Sequence, residues 1–443
     1  MLLGACGGES GPTPGPTAGP PPSPAATRDG RWVQDVDYLA AELPRLHPNL
    51  FFKTPRADFE AAADRLRRAV PALSDDEIVA GLMRLAALPG DGHTTLRRWS
   101  GFHALPVELT RLASGLYVTA AAADLAGILG ARLVAIGDRS AGELEADAAA
   151  LVSHENDAWL RVQVPQILVI PEVLHALRAA GDASRARLWV EDPRGARLSV
   201  DVAAVSPPPA LRDLTAAADA PVPLHRQRPD ENYWLTLLED SRTLYVQYRR
   251  CQQGPEAFSA FADRLFRLLD QNAADRLVVD VRHNGGGDSS VDDPLIRGLQ
   301  SRPAWRARGR LFGLIGGETF SSGVWTANDL RQLGAVLVGG STGGKPNSYG
   351  NVSSFTLPNA RIEVAYSTRY FRLLDGEDPP SLDPAVAVEP TLEDLYAGRD
   401  PLLQAALAFD ARSQDAVLGP VVRFQSTTSN PATWPSLRMT VGR

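Results

Sequence analysis

A serine, a glycine loop and a lysine follow one another in this chain in an order suited to nucleophilic catalysis. Ser321 lies in a TFSSG segment between an apolar run at 311–315 and a helical pattern at 324–333. A nucleophile is well presented at such a strand-to-helix turn, where a neighbouring base can activate it. The HNGGG loop at 283–287 precedes the serine, and Lys345 follows it. The arrangement predicts a nucleophile, an oxyanion site and a candidate base.

The glycine loop and the turn have the chemistry that an oxyanion hole requires. Attack by Ser321 on a carbonyl carbon puts negative charge on the carbonyl oxygen, and each backbone N–H aimed at that charge contributes about 2.7–4 kcal/mol. Glycines at 285–287 let the backbone approach closely, and the N–H of Ser322 opens a helix whose dipole favours negative charge. We therefore take Gly285, Gly286 and Ser322 as candidate oxyanion donors. In the alternative interpretation, the glycines only turn the chain after a buried strand.

Two other motifs in the region fail on mechanism. The GGSTG stretch around Ser341 matches a nucleophile elbow, which requires a helix directly after it and a histidine later in the chain. All seven histidines precede Ser341, and the PNSYG segment at 346–350 cannot begin a helix. The stretch up to Lys345 also matches a P-loop, but Pro346 stands where a Ser or Thr must ligate Mg²⁺. Neither an α/β-hydrolase nor a nucleotide hydrolase is expected.

The hydrophobic patterns around these segments predict an α/β protein with several parts. Apolar residues recur with helical spacing from Val33 to Leu96, and short β-like runs follow between about 105 and 205. From Thr243 onwards strands alternate with helices, which is typical of a parallel sheet, and clustered prolines precede this part. The predicted parts are a lipobox-like start and disordered linker (1–30), an N-terminal helical domain (31–100), an α+β segment (101–206), a linker (207–230), the core (231–410) and a tail (411–443).

Five ordered motifs resemble those of one family. They are DVRHNGGG at 280–287, TFSS at 319–322, GGSTGGKPNSYG at 339–350, STRYF at 367–371 and GRDP at 398–401. The set resembles the S41 peptidases, the group of tail-specific (C-terminal processing) and tricorn-core proteases, and in particular their bacterial envelope branch. The resemblance covers roughly residues 34–408.

The resemblance implies a serine peptidase that hydrolyses polypeptides through a Ser321 acyl-enzyme without a cofactor, on a ClpP/crotonase-like core. A strand at 115–118 followed by GARLVAIG at 130–137 resembles a PDZ domain that carries an insertion. Such a PDZ-like middle segment would select extended polypeptide ends. The other hypothesis is a catalytically inactive binding or scaffold protein on the same fold, because a fold alone does not establish activity.

The identity of the general base stays open between two residues. The tail-specific branch uses a lysine, and Lys345 aligns with it, although Tyr349 stands where those enzymes carry an orienting glutamine. A lysine acts as a base only when desolvation lowers its pKa. The tricorn-like branch uses a histidine just after the N-terminal helices, and His93 in the DGHT segment fits that position. We prefer His93, since the pKa of histidine already lies near neutrality. Asp91 either orients His93 or caps a turn.

Other polar residues are weaker candidates. His47 fits the branch but is typical of a hydrogen-bonding residue at a helix end. His283 either lines the pocket or faces solvent. The acidic segment 377–383 lies where tricorn-like members carry a carboxylate partner, although Ala385 replaces the aspartate of their Pro-Asp pair. There is no H-E-x-x-H motif and no Cys/His cluster, so no metal site is predicted.

The composition and the N-terminal segment bear on the binding partners of the protein and on its place in the cell. The formal charge is −7 without a Lys/Arg-dense run, so nucleic-acid binding is not expected. The LGAC segment ending at Cys6 resembles a bacterial lipobox, and a flexible Pro/Gly/Ser/Thr/Ala tract follows it. A lipid anchor at Cys6 predicts a periplasmic or extracytoplasmic envelope protein. Only five residues precede Cys6, which is short for a signal peptide; the alternative is a cytosolic protein with a disordered extension. Cys251 is predicted to be a buried hydrophobe without a disulfide partner.

Overall fold

The structure is a computed structural model that describes residues 18–97 and 101–410. The lipobox-like start with Cys6 and the tail from 411 lie outside the described residues. Within the described ranges, none of the helices combines the length and the apolar character that crossing a bilayer demands.

The N-terminal part is helical, as the apolar spacing predicts. Val36 and Leu39 are fully buried on the first helix, and Ser74 begins the third helix with a capping box. The segment then extends into a two-residue strand. Its elements are α1 (Arg28–Leu46), α2 (Arg56–Ala69), α3 (Asp75–Ala87) and β1 (Thr95–Leu96).

The middle part is an antiparallel sheet in the order β2-β3-β4-β6-β7, with β5 paired to β4 and β8 paired to β3. Three helices are inserted between β5 and β6. The elements are β2 (Val107–Leu112), β3 (Gly115–Ala121), β4 (Arg132–Ile136), β5 (Arg139–Ser140), α4 (Ala141–Ala149), α5 (Asp157–Ile167), α6 (Pro171–Ala176), β6 (Arg185–Glu191), β7 (Arg197–Ala203), β8 (Arg212–Asp213) and α7 (Leu214–Ala217).

The C-terminal part contains a six-stranded sheet in the order β16-β13-β12-β11-β10-β9. All neighbours are parallel except β9 and β10. The elements are β9 (Tyr233–Leu238), β10 (Thr243–Tyr248), α8 (Phe258–Asp270), β11 (Arg276–Asp280), α9 (Asp293–Gln300), β12 (Leu311–Ile315), α10 (Ser322–Gln332), β13 (Val336–Gly339), β14 (Ser348–Thr356), β15 (Glu363–Phe371), β16 (Val386–Ala387), α11 (Leu392–Ala397) and α12 (Pro401–Ala408).

This sheet is buried on both faces, which explains why its strands are continuously apolar. Leu277 and Val279 of β11 pack into the cluster that contains α8, α9 and α10. Val278, one residue between them, packs into the opposite cluster with Leu402 and Leu403 of α12. The mixed α/β class with several sheets is therefore confirmed.

A small third sheet, in the order β1-β15-β14, joins the N-terminal part to the core. Thr95 pairs with Ala365, and Leu96 pairs with Val364. Because β1 begins two residues after His93, this pairing brings the segment around His93 onto the core.

The segment 207–230, predicted as a linker, carries structure of its own. Its prolines exclude long elements, but β8 and α7 form between the two proline clusters. Asp213 of β8 pairs with Ala120 of β3, and the Thr215 hydroxyl donates to the Leu395 carbonyl (2.9 Å). The segment is thus attached to both the middle sheet and α11.

Candidate active site

The candidate site forms where three parallel strands end. The HNGGG loop follows β11, the segment 316–321 follows β12 and the loop with Lys345 follows β13. Because parallel strands place their carboxyl ends at one edge, the three loops meet there. Hydrogen bonds join them: Phe320 N–H donates to the Asn284 carbonyl (2.9 Å), and Gly344 N–H donates to the Thr319 carbonyl (3.1 Å).

Ser321 stands at the turn between β12 and α10, directly before the first residue of the helix. Its backbone has φ 50° and ψ −129°. Non-glycine residues rarely hold such a conformation, and where they do, a strained position commonly accompanies a functional role. The strand-to-helix turn predicted from the sequence is present.

The glycine loop lies against this turn. A Cβ built on Gly286, where φ is +101°, would come within 2.6 Å of the Ser321 Cβ, 3.1 Å of its Oγ and 3.0 Å of the Ser322 nitrogen. The Ser322 hydroxyl donates to the Gly287 carbonyl (2.7 Å), which fixes the loop to the start of α10. The Gly286 N–H donates to Asn284 Oδ1 (2.9 Å), whereas a Cβ on Gly285 would meet open space. The structure therefore brings Gly286 and Ser322 beside Ser321, and among the described residues it gives no such contact for Gly285.

His93 lies next to the same turn. Its ring packs on that of Phe320, the residue before the serine, with centroids 4.5 Å apart. The residue is 7% exposed, and among the described residues neither ring nitrogen has a hydrogen-bond partner. Burial lowers the pKa of His93, against the opposing effect of the Asp91 charge. The imidazole is therefore neutral near neutral pH, the form in which a general base accepts a proton.

Asp91 acts as a cap in this structure. Its carboxylate accepts from the His93 N–H (3.0 Å), the His47 ring (3.2 Å) and the hydroxyls of Thr94 (2.5 Å) and Ser367 (2.7 Å). Burial alone would raise the pKa of Asp91, but these hydrogen bonds and the charge of His93 hold it at about 2. Its distance to His93 Nδ1 is 3.8 Å, too long for a hydrogen bond.

Lys345 is paired away from the serine. Its ammonium donates to Asp378 Oδ2 (2.7 Å), and Asp378 is well exposed. Tyr349, which stands where the tail-specific branch has its glutamine, instead accepts from Asn49 Nδ2 (3.1 Å) through its hydroxyl. Because this geometry directs the ammonium to Asp378 rather than to Ser321, it does not favour a lysine base.

The weaker candidates occupy defined positions. His47 ends α1, where its N–H bonds to the Leu43 carbonyl, and its ring reaches Asp91. His283 lies between His225 and Glu318, at 2.9 Å from each. In the acidic segment, Asp383 accepts from the Ser341 hydroxyl (2.7 Å). Ser341 is not followed by a helix.

Glu155 is a site residue that sequence reasoning missed. It lies just before α5, in the helices inserted into the middle sheet, and no motif or spacing connects it with Ser321. A Cβ built on Gly92 would come within 3.1 Å of its Oε2. Only this tertiary contact reveals that the segment belongs to the site.

Asp91, His93 and Glu155 each place one potential ligand atom within 4.8 Å of the others, as a metal site would require. The Asp91 oxygens, however, already accept the four hydrogen bonds described above. Two remaining donors are fewer than the three protein ligands that even an open zinc site has. The group therefore fits a resident metal poorly.

No protein-family model and no curated protein matches the chain. Among solved structures, mature CPAF complexed with lactacystin aligns with a TM-score of 0.60 at 13% identity, over 86% of this chain and 99% of that one. A serine-to-alanine mutant of CPAF aligns with a TM-score of 0.59 at 12% identity, over 86% and 98%. A putative S41 protease from Bacteroides fragilis overlaps with a TM-score of 0.33 at 14% identity, over 71% and 85%.

At these identities the comparisons bear on the fold, and the two CPAF structures carry that conclusion. The chain shares the fold of CPAF.

Proposed function

We propose that this protein is a serine-type peptidase that cleaves polypeptides through an acyl-enzyme on Ser321. The observation that carries the proposal is the turn itself. Ser321 holds a left-handed backbone at the start of α10, with Gly286 packed against its side chain and His93 packed against its neighbour Phe320. A nucleophile, backbone donors and a neutral imidazole are thus gathered at one edge of the sheet.

In the proposed reaction, Ser321 Oγ bonds to the carbonyl carbon of the scissile peptide while His93 takes the hydroxyl proton. The Ser322 N–H, at the open start of α10, and the amides of the glycine loop stabilise the oxyanion. The C–N bond then breaks, and His93 returns the proton to the leaving amine. Water repeats the sequence on the acyl-enzyme and releases Ser321. The Gly286 N–H can donate to the oxyanion only after its hydrogen bond to Asn284 Oδ1 breaks.

Three finer features belong to the same proposal. The six-stranded sheet with its helices corresponds to a ClpP/crotonase-like core. The seven-stranded middle sheet corresponds to a PDZ-like segment that binds extended polypeptide ends by strand addition. Cys6 provides a lipid anchor that holds the protein in the bacterial envelope. No cofactor takes part in the proposed reaction.

The direct test is labelling with a fluorophosphonate, which reacts with activated serines. We expect the wild type to be labelled and Ser321→Ala to be unlabelled. We also expect His93→Ala to lower the labelling rate at least a hundredfold, because it removes the base, and Lys345→Met to change the rate by less than threefold. If Lys345→Met stops labelling while His93→Ala is labelled normally, the lysine is the base and our assignment is wrong.

An inactive binding protein on the same fold is the second candidate. It is favoured by the Gly286 N–H, which in this structure is bonded to Asn284 rather than free for an oxyanion. Absence of fluorophosphonate labelling and of peptide hydrolysis between pH 5 and pH 10, with the fold intact by circular dichroism, would select this candidate over the peptidase.

A further inference from the structure

Glu155 remains outside the reaction described so far, although it lies within the site. We propose that Glu155 is the positioning residue of His93: its carboxylate receives the imidazole N–H and stabilises the imidazolium that forms when Ser321 loses its proton. The proposal rests on the proposed peptidase function. It assigns the carboxylate to the middle segment of the chain rather than to the acidic segment 377–383 considered from the sequence.

Glu155 and His93 each carry a buried polar atom that lacks a hydrogen-bond partner among the described residues. Glu155 Oε2 is buried and has no hydrogen-bond partner among the described residues. The two ring nitrogens of His93 are likewise buried and without a partner there. A Glu155 oxygen and a His93 nitrogen lie within 4.8 Å of each other. Buried polar atoms are rarely left unpaired, and catalytic hydrogen bonds often tighten only when substrate binds. A small movement of either side chain would let the Glu155 carboxylate and the His93 ring form a hydrogen bond with each other.

The backbone around Glu155 is fixed to the site on both sides. The Ser153 hydroxyl donates to the Thr94 carbonyl (2.5 Å), next to His93. Asn156 Nδ2 donates to the carbonyls of Thr342 (3.1 Å) and Pro380 (2.7 Å), which belong to the core. One turn further on, Trp159 stacks on Phe320 with centroids 4.2 Å apart. These contacts of its neighbours in the chain hold the backbone of Glu155 beside the catalytic loops.

The other nearby carboxylates already have hydrogen-bond partners. Asp91 accepts four hydrogen bonds and lies 3.8 Å from His93 Nδ1. Asp378 pairs with Lys345, and Asp383 accepts from Ser341 and Ser381. Of Asp91, Asp378, Asp383 and Glu155, Glu155 is the one with a buried oxygen that has no hydrogen-bond partner among the described residues.

The burial of Glu155 and the charges around it predict how the reactivity of Ser321 depends on pH. Burial and the Asp91 charge together raise the pKa of Glu155 to about 8, against the opposing effects of the backbone amides of Gly92 and Lys345 and of the Lys345 ammonium. Lys345 itself is paired with Asp378. Because only the ionised carboxylate carries the negative charge that stabilises the imidazolium, we expect the reactivity of Ser321 to rise with pH through about 8.

The test is the rate constant for fluorophosphonate reaction with Ser321 between pH 6 and pH 10. In the wild type we expect the rise near pH 8. Glu155→Gln, which keeps the shape, should react at least tenfold more slowly at pH 9 and lose that rise, and Glu155→Asp should retain part of it. Glu172→Gln is the matched control, since Glu172 is another buried carboxylate of the inserted helices and contacts His103.

The outcomes separate the two proposals. A labelled wild type with an unchanged rate and pH profile in Glu155→Gln overturns the role of Glu155 alone, whereas an unlabelled wild type overturns the peptidase proposal. Titration of the His93 imidazole by NMR in Ser321→Ala needs no activity. We expect the His93 resonance to shift near pH 8 and the Glu155→Gln substitution to abolish that shift. If the resonance behaves the same with and without the substitution, the pairing of Glu155 with His93 is wrong.

Discussion

At the scale of single residues, the contact between Gly286 and Ser321 links backbone conformation to reactivity. Ser321 holds φ 50° and ψ −129°, a conformation that costs about 1–3 kcal/mol outside glycine. It is maintained because Phe320 N–H is bonded to the Asn284 carbonyl on one side and the Ser322 hydroxyl to the Gly287 carbonyl on the other. The turn and the glycine loop therefore define each other's geometry.

Gly286→Ala is expected to inactivate the site. Its methyl group would lie 2.6 Å from the Ser321 Cβ at a φ of +101°, so the loop or the serine must shift. A displaced oxyanion donor costs about a hundredfold or more in rate. Gly285→Ala is the matched control, because its methyl group would meet open space. Fluorophosphonate labelling rates of both variants test the prediction, and equal rates would contradict it.

The sequence predicted those site residues whose neighbours along the chain reveal them. Ser321 was identifiable from an apolar run before it and a helical pattern after it, and Gly286 from a glycine run after a buried strand. Glu155 could not be identified, because its relation to His93 arises only when the inserted helices pack on the core. The base stayed open because the pairing of Lys345 with Asp378 is likewise a tertiary contact.

At the scale of elements, one buried ion pair connects the glycine loop to α12. Arg282 is 7% exposed and donates to Asp280 (3.0 Å) and to both oxygens of Asp400 (2.9 and 3.0 Å). The Tyr245 hydroxyl also donates to Asp280 (2.7 Å). Asp400 in turn caps α12 by accepting from the Leu403 N–H. This network explains why the DVR and GRDP motifs occur together.

Asp400→Ala is therefore expected to destabilise the fold strongly. It leaves the Arg282 guanidinium buried with one carboxylate partner and removes the cap of α12. Breaking a buried pair in this way costs about 3–5 kcal/mol. The control is Asp201→Ala, which breaks an exposed pair with Arg187 and should change the free energy of unfolding little. Urea unfolding of both variants measures the difference, and similar losses would contradict the role of the network.

The elements themselves were largely predictable, because periodicity reports which faces are buried. The alternation of strands and helices predicted from Thr243 onwards appears as β10, α8 and β11. The segment 207–230 shows the limit of this reasoning. Its prolines correctly exclude long elements, but the pairing of β8 with β3 depends on a partner almost a hundred residues away in the chain.

At the scale of the whole molecule, Asp91 joins three parts of the chain at one point. It accepts hydrogen bonds from His47 at the end of α1, from Thr94 before β1 and from Ser367 on β15. The carboxylate is fully buried. The helical part, the small sheet and the turn that carries His93 therefore depend on one charge for their relative positions.

Asp91→Asn is expected to lower the free energy of unfolding at pH 7 by about 2–4 kcal/mol, because an amide cannot accept from all of these donors. The folded pKa of Asp91, about 2, lies below its ordinary value of 3.8. Its ionisation therefore contributes about 2 kcal/mol that is fully present above the unfolded pKa and is lost as the pH falls through about 2. The difference between wild type and variant should accordingly shrink from pH 5 to pH 2.

Urea unfolding at several pH values measures that difference. Asp124→Asn, at an exposed position, is the control and should follow the wild type throughout. If Asp91 joins these parts of the chain, the variant should also lose fluorophosphonate labelling while still folded, since the turn that carries His93 no longer has all of the hydrogen bonds that hold it. A variant as stable as the wild type at pH 7, or a stability difference that is independent of pH down to pH 2, contradicts this account of how the molecule is held together around its site.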